Sequence, residues 1–131
     1  MSRKSARTAV FKLVFEYGTN KEFNETSLEN FLQEAENDDD KMYISTTYTG
    51  ITKQYEQLKE EISSFAKGFS ADRIYPVDLA ILIVAVYEIK NIAQIPYSVS
   101  VNEALNISSA YATEKSTKFI NGILKNFKKE Q

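Results

Sequence analysis

Pro76-Val77-Asp78-Leu79-Ala80-Ile81-Leu82-Ile83-Val84-Ala85-Val86-Tyr87-Glu88-Ile89 decides the fold. The run is apolar nearly all round, as a helix buried in the centre of a domain would be. Its Ile and Val would also suit a strand. Its length, the acid at Asp78 and the lack of partner strands favour helix. Pro76 suits a first helical turn. The longest uninterrupted apolar stretch, Leu79 to Tyr87, has nine residues, far short of a bilayer span.

Helical periodicity extends outward in both directions. Ala6, Val10, Leu13, Val14 and Tyr17 mark a first helix, which Gly18 is expected to stop. Asn24 to Glu36 reads as a second. Asn37-Asp38-Asp39-Asp40 is cap-like, since short acidic side chains suit a helix start. Met42 to Ala66 is helical in period but long, and Gly50 is the expected break. Gly68 to Tyr75 connects, with a short helical turn expected at Ala71 to Arg73. Beyond the Pro96 break, Val99–Tyr111 and Thr113–Phe127 complete about seven helices, with Thr113 as an N-cap. The expectation is an all-α fold in one domain spanning 1–131.

Composition excludes much. The chain has 131 residues, 43% of them hydrophobic, and neither Cys nor His. Thiolate chemistry, the usual zinc ligands and the usual proton shuttle near neutral pH are therefore absent. No catalytic residue, metal or cofactor is expected. Asp78, Glu88 and Glu103 are carboxylates without a nucleophile or cofactor loop to serve. Glu88 is expected to satisfy a buried donor, and Asn102 and Glu103 to bond the loop at Pro96. The polar, basic start is followed by no signal-like apolar run, so a cytoplasmic protein with no membrane contact is expected.

Charge is unevenly placed. Residues 1–15 hold Arg3, Lys4, Arg7 and Lys12 and no acid, and residues 115–131 hold five lysines against Glu130. The formal net charge of -2 conceals this separation. If the two ends meet, they form one positive surface suited to nucleic acid. Arg3 and Arg7, four apart, share a helix face and could hold phosphates beside Lys4. Phe15 could stack on an unpaired base. Lys115, Ser116 and Lys118 open the last helix, where hydroxyl, ammonium and backbone N–H groups could bind phosphate together.

Three blocks carry a family resemblance: Arg3-Lys4-Ser5-Ala6-Arg7, running on to Leu13-Val14-Phe15; Arg73 to Leu82 followed by Ala85-Val86-Tyr87-Glu88; and Ile95 to Ala104 followed by Lys118 to Leu124. In order and spacing the chain resembles the NusB transcription antitermination factors from end to end. The resemblance implies two small helical bundles packed across each other. It implies an adaptor that binds boxA-type single-stranded RNA of ribosomal RNA leaders with a NusE-like small ribosomal protein, within RNA polymerase antitermination complexes. It admits monomer and homodimer. The chain departs from the family pattern at Ile83, where Arg is usual, at Ser109, where Lys is common, and in its diluted arginine-rich start. The alternative is a helical protein–protein module without an RNA role, its acidic Glu22–Asp40 segment drawing a basic partner.

Overall fold

The computed structural model describes residues 3–66 and 73–128. Six α-helices follow one another: α1 (Arg3–Asn20), α2 (Glu25–Glu34), α3 (Asp38–Ser64), α4 (Pro76–Asn91), α5 (Tyr97–Tyr111) and α6 (Glu114–Leu124), with a 3-10 turn at Lys125–Phe127. The all-α expectation holds. The turn expected at Ala71 to Arg73 falls largely outside the described residues.

α4 is the hub. Leu79 through Val86 are all buried, and the helix packs against α1, α3, α5 and α6. α1 to α3 form one bundle and α4 to α6 the other, welded where α1 and α3 lie on α4. Pro76 occupies the first turn of α4.

Local capping chemistry sets the boundaries. The Asn24 side chain accepts from Ser27 N at 2.9 Å and opens α2; Asn37 accepts from Asp40 N at 2.8 Å and opens α3. Thr113 caps α6 as expected, accepting from Ser116 N at 3.1 Å. α1 runs past Gly18 to Asn20. It ends where Lys21 takes a left-handed φ of 61° and donates its N–H to Tyr17 O at 2.7 Å.

Gly50 does not break α3. The expectation of two helices there is corrected to one of 27 residues. The glycine serves packing instead: a Cβ at position 50 would overlap the Tyr87 hydroxyl and lie 2.6 Å from Tyr87 Cζ. Gly18 has the same use, since a Cβ there would lie 2.7 Å from the Tyr55 hydroxyl. Among the described residues no helix is long and apolar enough to cross a membrane.

Candidate nucleic-acid interface

The expected arginine stripe faces inward. Arg7 is only 7% exposed, and Glu88, on the core helix α4, is 1% exposed. Arg7 Nε donates to Glu88 Oε2 at 3.0 Å. Ser100 Oγ donates to Glu88 Oε1 at 2.9 Å, and the Tyr43 hydroxyl donates to Oε2. One carboxylate thus ties α1, α3 and α5 to α4. Burial works against the Arg7 charge, but Glu88 more than offsets it and holds the guanidinium above its ordinary pKa. Burial, then Glu88, pushes the Tyr43 phenol well above its usual value, so it stays a donor.

In this structure Arg7, expected to hold phosphate, is instead held by Glu88. Arg3 is partly engaged too. Its Nε donates to Asp40 Oδ1 at 2.9 Å, and its guanidinium lies 4.7 Å from the centroid of the Tyr43 ring. Glu88 satisfies a buried donor, as its place in the sequence suggests. The bond expected between Asn102 or Glu103 and the Pro96 loop is not formed among the described residues. Glu103 instead adds to the negative field on Arg7, with Oε2 buried and without a hydrogen-bond partner.

Ser116 also turns inward. It is 8% exposed, its N–H is taken by the Thr113 cap, and its hydroxyl faces buried Asp78. Burial raises the Asp78 pKa, and the Ser116 hydroxyl opposes that rise. Because Thr113 O also accepts from the Thr117 N–H, two of the four first-turn donors of α6 are spent within the helix. Of the expected hydroxyl, ammonium and N–H set at Lys115, Ser116 and Lys118, the two lysines are exposed and Ser116 faces Asp78.

Lys4, Lys115 and Lys118 point to solvent. The end of α5 meets the middle of α1. The Tyr111 ring, at the end of α5, lies 5.3 Å from that of Phe11, and Lys12 Nζ lies 5.7 Å from the Tyr111 centroid. Tyr111 remains 46% exposed. Four residues of chain link it to Lys115, a reach of no more than about 14 Å. Lys4 is two turns from Lys12, about 12 Å along the helix. Of the exposed lysines 4, 12, 115 and 118, Lys12 is the one seated at the exposed Tyr111 ring; Lys4 lies along the same helix and Lys115 and Lys118 open the helix that follows Tyr111.

Lys12 and Tyr111 are the members that reading the sequence for a site passes over. Lys12 belongs to the basic run but not to the Arg3–Arg7 face. Tyr111 is marked only by standing just before the Thr113 cap. Phe15, 38% exposed, opens onto a groove of about 400 Å³ between α1, α3 and the start of α4. Lys21 stands at that groove with its Nζ 4.9 Å from the Tyr55 ring.

Comparison with known proteins agrees with this architecture. Residues 4–129 match the model of the NusB family. The chain is 37% identical to the transcription antitermination protein NusB of Acetivibrio thermocellus over 125 residues, covering 95% of this chain and 86% of that protein. It is also 37% identical to the Clostridium botulinum protein of that name, covering 99% of this chain and 100% of the other. The solved structure of T. maritima NusB superposes with a TM-score of 0.88 at 32% identity, covering 97% of this chain and 90% of that one.

Proposed function

Because the chain belongs to the NusB family of transcription antitermination factors, we propose that it is an RNA-binding adaptor acting on boxA-type single-stranded RNA of ribosomal RNA leaders. The observation that carries the RNA role is exposed Lys12 beside the exposed Tyr111 ring, with exposed Lys4 on the same helix and exposed Lys115 and Lys118 at the start of the next. Lysine ammonium groups hold phosphates as point charges, and an exposed aromatic offers a stacking face to any unpaired base. Phe15 offers a second such face. Arg3 contributes at long range, because its guanidinium already has a carboxylate partner.

A NusE-like small ribosomal protein is the second ligand, and the pair joins RNA polymerase complexes that resist termination. The exposed acids of the α2 region, among them Glu22, Glu25, Glu29, Asp38 and Asp39, support a basic partner. The mechanism is binding, the chain works as a single unit, and its place is the cytoplasm.

A titration of the protein with a short boxA-like RNA and with its scrambled counterpart, with and without the NusE-like protein, tests this. The boxA-like strand is expected to bind more tightly, and the partner to tighten it further. Equal affinity for both strands under both conditions overturns the RNA reading. A partner pull-down that persists after ribonuclease would then favour the protein–protein module.

A further inference from the structure

A groove of about 400 Å³ runs between α1 and α2, lined by Ser5, Thr8, Ala9, Lys12, Phe31 and Glu34. Lys12 belongs to both this groove and the Tyr111 corner, so the two adjoin. Its size falls within the range of small-ligand sites, which begins at about 300 Å³. Its lining combines an aromatic ring, two hydroxyls, one cation and one carboxylate.

Glu34 is the unexplained member. It is exposed at the last position of α2, where the negative end of the helix dipole disfavours a carboxylate. It makes no hydrogen bond or ion pair among the described residues. Beside lysines that hold phosphate, a carboxylate weakens the binding of every RNA alike. Accepting from a base would turn that lost affinity into discrimination.

We propose that the groove between α1 and α2 seats one unpaired guanine of the bound RNA, with Phe31 as the stacking surface, Glu34 accepting from the base and Lys12 holding the adjoining phosphate. This inference rests on the RNA-binding reading above. An ionised carboxylate only accepts, and it has two oxygens. Guanine alone presents two adjacent donors, N1–H and N2–H, on its Watson–Crick edge, the edge by which proteins read splayed bases. Adenine offers one donor beside an acceptor that Glu34 repels. Uracil flanks its single N–H with two carbonyl oxygens. Cytosine offers its amino group beside the N3 acceptor. The Thr8 hydroxyl donates to Lys4 O at 3.3 Å, which leaves its lone pairs facing the groove as further acceptors.

The test uses the full chain and a short pyrimidine strand carrying one central guanine, with inosine, adenine or uracil replacing it in companion strands. Hydrogen bonds to a charged group predict that the guanine strand binds about tenfold more tightly than the adenine strand, with inosine between them. Glu34→Gln removes the negative charge and tightens all strands together, while the guanine-to-adenine ratio falls to about twofold or less. Glu34 is exposed and its charge opposes the helix dipole, so the melting temperature does not fall. If the wild type binds every strand equally, the RNA reading survives and the groove assignment fails. The assignment fails equally if Glu34→Gln keeps the full ratio. If no strand binds even at low salt, the RNA reading itself fails and takes this inference with it.

Discussion

Replacing Arg7 by Met leaves Glu88 charged and buried, with only the Tyr43 and Ser100 hydroxyls to hold it. Breaking one side of a buried ion pair costs about 3–5 kcal/mol. Unfolding entropy of about 2.1 cal/mol/K per residue makes each kcal/mol worth roughly 3–4 °C in a chain of 131 residues. Arg7→Met should therefore melt about 10–18 °C below the wild type. Glu88→Gln should cost a similar amount, because it strands the Arg7 charge. The double variant Arg7→Met/Glu88→Gln removes both charges and still gives Tyr43 and Ser100 an acceptor. It should lose only about 1–2 kcal/mol, less than either single change, so the two effects are strongly non-additive. Thermal melts followed by far-UV circular dichroism, with urea titrations for the free energies, read this cycle. Below its melting temperature Arg7→Met should bind RNA within about twofold of the wild type. A melting temperature within 2 °C of the wild type, together with a tenfold loss of RNA affinity, would refute the structural assignment. It would return Arg7 to the phosphate site.

Gly50→Ala gains about 1 kcal/mol of helix propensity but drives a Cβ into the Tyr87 ring, and overpacking of this kind costs about 1–3 kcal/mol; the melting temperature should fall, and a rise would show that α3 and α4 have room between them. Burial holds the Asp78 pKa above its ordinary value, so wild-type stability is full below the unfolded pKa and declines as pH rises through the folded one. Asp78→Asn should thus compare best with the wild type at neutral pH and lose that advantage as pH is lowered to about 4; an advantage that grows on acidification would contradict the sign. The raised Tyr43 pKa works at the other end of the scale. Above about pH 10, where the unfolded phenol ionises, stability should fall, and Tyr43→Phe should soften that fall at the expense of a Glu88 hydrogen bond. Lys12→Ala should weaken all single-stranded RNAs alike with little change in melting temperature, whereas a melt lowered by more than about 4 °C would mark Lys12 as structural.

Patterns local in sequence were legible, and those that depend on distant partners were not. The apolar run of α4 identifies itself, because a helix buried on every side needs no periodic polar face. Asn37 and Thr113 announce helix starts because the bond they make lies three residues away. Gly50 was misleading because glycine both ends helices and lets them approach, and only Tyr87 on another helix separates the two uses. Arg7 shares a face with Arg3 by spacing, but its carboxylate is 81 positions along the chain. The same holds for Ser116, whose hydroxyl answers to Asp78 on α4. At the candidate site, the exposed lysines at 4, 115 and 118 could be anticipated from charge alone. Lys12 and Tyr111 gained significance only when the end of α5 was seen to lie across the middle of α1.

The salt dependence of RNA binding tests the role of the exposed lysines most directly. Four phosphate contacts on a single strand give a slope of about -3 in a plot of log affinity against log salt, and each lysine lost removes about 0.7. The wild type should show that slope, and a variant with Lys4, Lys12, Lys115 and Lys118 all changed to Gln should approach zero while keeping its helical content. A wild-type slope near zero, or an undiminished slope in the four-lysine variant, would contradict it.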